Sequence, residues 1–259
     1  MRFDDQVVLV TGAGRGLGAA YARALAERGA SVVVHDAGLS LDGAGGDRSV
    51  ADAVAGEIGG VASYEDLRDV SACRALVEHV LGLFGRIDAI VHNAGLLAIE
   101  PLEEADRHWD DVRQTSLDAA FHVTRAAWPA LKEQQDGRLV FTTSSRAMYP
   151  RESVAGFAAY AASRMGAFGL MLAVAAEGEP HGIRANAVSP VVTGTRTSTR
   201  AASDELAPEL VVPAVLHLCS RECEWSGIVV HAEGGRFRSV GWVDGQSLEF
   251  GRERIGATT

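Results

Sequence analysis

The chain has 259 residues, of which 47% are hydrophobic, with 29 glycines and only 7 prolines. This composition excludes a disordered polypeptide and fits one compact domain spanning residues 1–259. A net charge of −10, without any run of lysine or arginine, argues against binding to nucleic acid or to an anionic membrane surface. Three cysteines make no disulfide framework, and neither a signal peptide nor an apolar run of membrane-spanning length is expected. We therefore expect a cytoplasmic protein.

Short β-branched runs alternate with longer helix-forming stretches along the chain. In chain order the pattern predicts a strand at 6–10, a helix at 18–29, a strand at 31–36, a helix at 49–60, a strand at 60–66, a helix at 71–85, a strand at 87–95, a helix at 108–134, a strand at 137–145, a helix at 157–178, a strand at 183–190, a helix within 204–220 and a strand at 227–235. Strands separated by helices need right-handed crossovers and lie parallel. The sequence therefore predicts a doubly wound α/β fold, with seven parallel strands covered by helices on both faces in three layers.

A glycine-rich turn, TGAGRGLG at 11–18, lies between the first strand and the first helix. Such a turn brings backbone N–H groups and the positive end of a helix to one point, which suits a pyrophosphate. Glycine permits both the tight turn and a close approach of the backbone to the ligand. The turn thus predicts dinucleotide binding by Gly12, Arg15, Gly16, Leu17 and Gly18.

Asp36, at the end of the second strand, indicates which dinucleotide binds. A carboxylate there accepts hydrogen bonds from the ribose hydroxyls of the adenosine and repels a 2′-phosphate. No arginine replaces Asp36 or sits beside it in the sequence, and His35 is the nearby side chain able to carry a positive charge. NAD is therefore favoured over NADP.

Five motifs occur in a fixed order: T-G-x3-G-x-G at 11–18, HNAG at 92–95, GRLVFTTSS at 137–145, YAASR at 160–164 and IRANAVSP at 183–190. Together they resemble the short-chain dehydrogenase/reductase family along almost the whole chain, which implies a Rossmann-like fold. The family's tyrosine exchanges a proton with the substrate oxygen during hydride transfer, and this role falls to Tyr160.

A narrower resemblance is carried by residues 7–36, 122–128 and 209–227. These stretches look like the (3R)-hydroxyacyl-CoA dehydrogenase module of the type 2 multifunctional proteins, which move a hydride between NAD and a 3-hydroxy or 3-oxo acyl thioester. The resemblance is weaker at 145–157 and 191–205, the segments expected to shape the substrate pocket.

Arg164 stands where the family has a lysine. A fixed cation favours the ionised form of a neighbouring tyrosine and can hold the nicotinamide ribose. A guanidinium stays protonated at any working pH, however, so Arg164 cannot pass protons to solvent as a lysine does. The resemblance makes Ser144 the serine that hydrogen-bonds the substrate carbonyl, with Ser145 as the alternative if the strand is shifted by one residue. Extra residues separate this strand end from Tyr160.

The resemblance assigns several further positions. Ser116 replaces an asparagine that often holds a water of the proton relay. Arg146 and Arg151 are either solvated loop charges or groups that face an anionic substrate. The expected contacts of the cofactor are completed by Asn93, Ala94 and Gly95, by Asp66 or Glu65 near the adenine, and by Pro190, Thr193 and Thr195 near the nicotinamide, together with Tyr160 and Arg164.

These residues favour an NAD(H)-dependent oxidoreductase that interconverts a secondary alcohol and a ketone on a small-molecule substrate. The alternatives are a non-redox catalyst of the cyclase or dehydratase type, suggested by Arg164 and Ser116, and a cofactor-binding partner without catalysis. The resemblance implies a homodimer or homotetramer formed through helices 108–134 and 157–178. No metal site is expected, because His92, His122 and His217 lack the spacing of ligands and are interpreted as packing residues.

Overall fold

The computed structural model describes residues 1–40, 43–192 and 203–241. One sheet of eight strands runs through it in the order β3-β2-β1-β4-β5-β6-β7-β8. The first seven strands are parallel, as predicted. They are β1 (Val7–Thr11), β2 (Ser31–His35), β3 (Val61–Ser63), β4 (Ala89–His92), β5 (Gly137–Thr142), β6 (Ile183–Val191) and β7 (Val229–Glu233).

Helices cover both faces of this sheet, which confirms the three layers. Because side chains alternate along a strand, Val8 and Val10 of β1 face one core, whereas Val7 and Leu9 face the other. The first core contains helices α1 (Gly16–Ala26), α2 (Ser49–Ile58) and α8 (Val212–Cys219), and the second contains α3 (Val70–Phe84), α5 (Ala119–Gln134) and α7 (Ala158–Gly178). Two shorter helices are α4 (Trp109–Arg113) and α6 (Ser145–Met148).

The eighth strand, β8 (Arg236–Val240), was not predicted. It pairs antiparallel with β7 at the edge of the sheet. Gly234 and Gly235 connect the two strands, and both have positive φ angles, 53° and 73°. Two residues with positive φ form the turn that suits a tight hairpin. The prediction of seven strands is therefore one short, because the glycine pair begins a hairpin instead of ending the sheet.

The long helix predicted at 108–134 is interrupted. A π-helical turn, Gln114–Asp118, separates α4 from α5. In such a turn the backbone hydrogen bonds span five residues instead of four. The spacing of apolar residues over the 27 residues of the predicted helix is too coarse to reveal a change of one residue in a single turn. The interruption matters because Thr115 and Ser116 occupy the π turn, directly behind the carboxyl end of β4.

Helix α7 is long and apolar. Among the described residues, the stretch Ala158–His181 has the length and hydropathy of a candidate membrane span, contrary to the expectation from the sequence. In the fold it packs on β5 and β6, and Phe168, Met171 and Ala175 are buried in the second core. The helix thereby holds Tyr160 and Arg164, in its first two turns, at the carboxyl end of the sheet.

Candidate functional site

A cleft of about 200 Å³ opens where β1, β4, β5 and β6 end. This is the place where open parallel sheets bind ligands, because strand order reverses there and the connecting loops diverge. The cleft brings together most of the predicted site residues from seven separate segments of the chain. Those that line it are Gly12, Arg15, Gly16, Leu17, Asp36, Asp66, Asn93, Ala94, Gly95, Ser144, Ser145, Tyr160, Arg164 and Pro190.

The glycine turn forms one end of the cleft. Gly12 and Gly16 have φ angles of 64° and 53°, which glycine adopts without strain. A Cβ on Gly12 would lie 2.9 Å from the Cα of Ala94, so the turn needs glycine to pass β4. Gly18 does not line the cleft; a Cβ there would lie 2.1 Å from the carbonyl oxygen of Gly12. Gly18 therefore serves the close packing of α1 on the turn.

Asn93 connects the turn to the end of β4. Its Nδ2 donates to the carbonyl oxygens of Thr11 and Gly12 at 3.1 and 3.0 Å. In return, the Thr11 hydroxyl oxygen accepts from the backbone N–H groups of Asn93 and Ala94, each at 3.1 Å. These bonds hold β1 and β4 together at the point where the cleft opens between them.

Asp36 directs its carboxylate toward the glycine turn. Its Oδ2 accepts from the backbone N–H of Gly14 at 3.0 Å, and its Oδ1 accepts from that of Gly38 at 2.9 Å. Each carboxylate oxygen offers two lone pairs, so one acceptor position remains on each after these bonds. The residue thus has the capacity to accept from ribose hydroxyls while it also stabilises the turn.

Arg15 lies beside Asp36 in the folded chain, although no arginine is adjacent to Asp36 in the sequence. Its Nη2 is 4.0 Å from Asp36 Oδ1 and donates to the carbonyl oxygen of Leu39 at 3.0 Å. The folded turn creates this contact, and no local pattern reveals it. Burial lowers the pKa of His35, which disfavours a positive charge on its ring, and the ring lies 2.8 Å from the carbonyl oxygen of Glu65. The charge beside Asp36 therefore comes from Arg15.

Asp66 lines the cleft next to β3, as one of the two alternatives at this position. Its carboxylate accepts from the Nε and Nη2 of Arg68, at 3.0 and 2.6 Å, and the pKa of Asp66 is lowered mainly by these hydrogen bonds. Arg68 also reaches Asp111 in α4 at 2.8 Å. This ion pair network holds Asp66 in place at the end of the cleft next to β3.

Tyr160 stands half-buried at the other end of the cleft, between two side chains. The ring of Phe157 meets it edge-on, with centroids 5.7 Å apart, and the guanidinium carbon of Arg164 lies 5.5 Å from its centroid. Arg164 is itself buried, and its Nη1 donates to the carbonyl oxygen of Thr142 at 3.1 Å. The i and i+4 spacing thus places a fixed cation against the tyrosine ring.

Ser144 and Ser145 both line the cleft, so the choice between them stays open. Ser144 caps α6, with its hydroxyl oxygen accepting from the backbone N–H of Arg146 at 3.3 Å. The predicted strand at 137–145 ends at Thr142, and the extra residues fold into α6 and a 3₁₀ turn, Pro150–Glu152. The segment at 145–157 therefore shapes the cleft as ordered structure.

Within this segment, Arg146 and Arg151 differ. Arg146 lines the cleft with its guanidinium carbon 5.2 Å from the ring centroid of Phe157, whereas Arg151 is exposed and does not line it. Sequence reasoning missed Phe157 and Glu152, which also line the cleft. The sequence did contain a signal for Phe157, because an aromatic residue directly before a helix can contact the residue three positions later in that helix.

Ser116 lies behind the cleft instead of in its wall. It is buried in the π turn, and its hydroxyl has no hydrogen-bond partner among the described residues. Thr193 and Thr195, predicted near the nicotinamide, lie outside the described residues. The fit of the remaining residues to a dinucleotide rests on two features: the glycine turn at one end of the cleft, where Gly12 and Gly16 have positive φ angles, and the free acceptor positions of Asp36.

The three histidines interpreted as packing residues each contact an aromatic ring. His92 lies 4.8 Å from Phe141, between centroids, while His122 and His217 contact Phe121 and Trp225 at 5.0 and 4.7 Å. Across residues 1–40, 43–192 and 203–241, no group of three His, Cys, Asp or Glu residues is arranged to hold a metal ion.

Comparison with known proteins identifies the family. Residues 6–206 match the family model described as short chain dehydrogenase. The chain belongs to the short-chain dehydrogenase family. It is 37% identical to a short-chain type dehydrogenase/reductase of Mycobacterium tuberculosis, over 91% of this chain and 85% of that protein. A crystal structure of a short chain dehydrogenase from Mycobacterium avium matches with a TM-score of 0.84 and 32% identity, covering 99% of this chain and 94% of that one.

The resemblance to type 2 multifunctional enzymes is also found among known proteins. The peroxisomal multifunctional enzyme type 2 of Mus musculus is 41% identical over 93% of this short-chain dehydrogenase. The chain spans only a third of the length of the mouse enzyme, 33%. The full-length enzyme of the same name from Drosophila melanogaster matches in structure with a TM-score of 0.77 and 31% identity, over 96% of this chain and 42% of that one.

Proposed function

We propose that this protein is an NAD(H)-dependent oxidoreductase that interconverts a secondary alcohol and a ketone. The observation that carries the proposal is one continuous cleft, with the glycine turn and Asp36 at one end and Tyr160 against a buried cation at the other. A bound nicotinamide supplies or accepts the hydride. All other steps fall to side chains of this chain.

In the reducing direction, the hydroxyl of Tyr160 donates its proton to the carbonyl oxygen while the hydride forms the new C–H bond. The C=O π electrons become the O–H bond, so charge and atoms balance. A serine hydroxyl, from Ser144 or Ser145, donates a hydrogen bond that orients the same carbonyl. The guanidinium of Arg164 stabilises the tyrosinate left behind, and water must return the proton because Arg164 holds its own.

We propose a 3-hydroxyacyl or 3-oxoacyl thioester as substrate, with a cyclic or polyketide-like ketone as the second class. Support comes from the names of relatives: the mouse multifunctional enzyme, and the 3-oxoacyl-[acyl-carrier-protein] reductase of Escherichia coli at 29% identity over 92% of this chain. The test mixes purified protein and NADH with a panel of 3-oxoacyl thioesters and cyclic ketones and follows NADH absorbance. Loss of absorbance with at least one class is expected, and its absence with all of them, while NADH binding is demonstrated, would refute the proposal.

NAD is proposed over NADP because the carboxylate of Asp36 retains acceptor capacity and carries negative charge in the adenosine end of the cleft. Arg15 opposes this preference, since its guanidinium lies 4.0 Å from the same carboxylate. We therefore expect a preference for NADH that is smaller than an isolated carboxylate would give. Titration of intrinsic fluorescence with NADH and NADPH measures it.

One observation favours a second candidate. The buried Arg164 cannot release a proton, so a turnover that needs a titratable group at this position is impaired. A non-redox reaction, such as a dehydration or a cyclisation, requires no hydride and would use Tyr160 as acid/base alone. Product formation from a 3-hydroxyacyl thioester without any change in NAD absorbance would favour this candidate.

We further propose a homodimer or homotetramer, formed through α5 and α7. Phe121 in α5 and Leu172 in α7 are exposed apolar side chains on these two helices, at 43% and 41%. Light scattering of the parent protein and of Phe121→Ser tests the proposal. A lower mass for the variant is expected, and a monomeric parent would contradict it. A cytoplasmic location remains proposed, supported by three free, buried cysteines.

A further inference from the structure

The wall of the cleft that holds Tyr160 is positively charged, although the whole chain has a net charge of −10. The segment 142–164 contributes three charged side chains to this wall, Arg146, Glu152 and Arg164. Arg164 is buried and Arg146 is half-buried, whereas Glu152 is exposed. Solvent screens exposed charges more than partly buried ones, so the two arginines outweigh the carboxylate. The proposed reaction uses Arg164 and leaves Arg146 without a role.

A buried aromatic ring places Arg146 close to the reacting group. The guanidinium carbon of Arg146 lies 5.2 Å from the ring centroid of Phe157, and the centroids of Phe157 and Tyr160 are 5.7 Å apart. Phe157 is buried, so its ring gives the guanidinium a fixed support. Arg146 also directly follows Ser144 and Ser145, the two candidates for orienting the carbonyl. Its positive charge therefore lies one aromatic ring away from the acid/base.

The chemistry of a guanidinium at this position suits an anionic group of the substrate. A guanidinium has five N–H donors in a planar fork that matches a carboxylate, and stacking on an aromatic ring is compatible with hydrogen bonds from these donors. We propose that Arg146 determines specificity by binding a carboxylate that the substrate carries a few carbon atoms from its carbonyl. This inference rests on the proposed function, because it assumes that the carbonyl lies at Tyr160. A substrate bound at both groups would enter the cleft in one orientation.

A thioester substrate could also bring the phosphates of its acyl carrier. In CoA these phosphates are separated from the acyl group by the whole pantetheine arm. Arg146, in contrast, is separated from Tyr160 by the single ring of Phe157. The position of Arg146 therefore favours a carboxylate on the acyl part of the substrate.

Matched pairs of an oxo acid and its methyl ester test the inference. The pairs are 3-oxobutanoate, 4-oxopentanoate and 5-oxohexanoate with their methyl esters, and the measured quantity is the ratio of kcat/KM for acid over ester with NADH. Arg146→Gln should lower this ratio by roughly 10- to 100-fold for the best acid, because it removes a charge-assisted hydrogen bond. Glu152→Gln should raise the ratio, because it removes the negative charge nearby. Arg151→Gln, an exposed arginine of the same segment that does not line the cleft, is the matched control and should leave the ratio unchanged.

An unchanged ratio in Arg146→Gln, with turnover retained, would overturn the inference and leave the proposed function standing. A 3-oxoacyl-CoA that loses more kcat/KM in Arg146→Gln than the corresponding N-acetylcysteamine thioester would show that the anion is a phosphate, and would also overturn it.

Calorimetric titration of each oxo acid into the protein loaded with oxidised NAD gives a readout without turnover, because NAD and a ketone cannot react with each other. Weaker binding of the acid by Arg146→Gln than by Arg151→Gln is expected. The same result in a protein that oxidises no NADH would support the carboxylate site and refute only the proposed function. Absence of binding of all three acids to the parent would overturn the inference.

Discussion

The buried ring of His92 gives the fold a defined response to acid. His92 lies in β4, its ring nitrogen Nε2 is 2.9 Å from the hydroxyl of Thr124, and burial lowers its pKa from 6.5 to about 3. Below pH 6.5 the His92 ring therefore becomes protonated in the unfolded chain while it stays neutral in the folded chain, so the free energy of unfolding falls as the pH drops. Between about pH 7.5 and pH 5 this one ring removes about 2 kcal/mol from the free energy of unfolding, at 1.36 kcal/mol per pH unit below the unfolded pKa.

Urea unfolding of the parent and of His92→Asn at both pH values measures this contribution. The variant loses the contact with Phe141 and is expected to be less stable at pH 7.5, but its loss on acidification should be smaller than the parent's by about 2 kcal/mol. Burial also lowers the pKa values of His35 and His231. Both proteins therefore retain the part of the pH dependence of stability that these two residues cause. His79→Asn, on the exposed face of α3, serves as control and should retain the parent's slope. Equal slopes for parent and His92→Asn would refute the reasoning.

Three further substitutions separate packing from charge. Gly95→Ala must displace Arg164, so it is expected to lower the free energy of unfolding in urea by about 2 kcal/mol. Gly169→Ala, in the helix that carries Arg164, has nothing within 4 Å of the added Cβ and should raise the free energy of unfolding by roughly 0.5–1 kcal/mol. A Gly95→Ala variant as stable as the parent would contradict the contact. Asp36→Asn removes the negative charge that opposes a 2′-phosphate and leaves Arg15 in place, so the ratio of NADPH to NADH affinities should rise about tenfold, as measured by fluorescence titration. An unchanged ratio would show that Asp36 does not select the cofactor.

The sheet and its crossovers could be predicted because most of the parallel strands are buried on both faces and the helices that cover them carry an apolar stripe. The local period is then enough to identify the element type, and chirality fixes the connections. The hairpin at Gly234 and Gly235 escaped prediction because the run was interpreted as the end of the sheet. The π turn at Gln114–Asp118 escaped because it changes one hydrogen-bond register within a continuous apolar pattern.

The candidate site was predictable where motif spacing sets position, as for Tyr160 and Arg164 four residues apart on one helix. It was not predictable where the contact depends on the folded path of a loop. Arg15 meets Asp36 only after the glycine turn folds over β2, and Gly95 meets Arg164 only because β4 ends beneath α7. Such contacts join distant segments, and no periodicity records them.

Hydride transfer to the substrate carbon is the central claim, and isotope transfer tests it most directly. NADH carrying deuterium at the reactive carbon of the nicotinamide is incubated with the protein and a 3-oxoacyl thioester, and the product is examined by mass spectrometry. The account predicts a 3-hydroxyacyl product that contains one deuterium, formed far more slowly by Tyr160→Phe. A product without deuterium, or equal rates for parent and Tyr160→Phe, would contradict it.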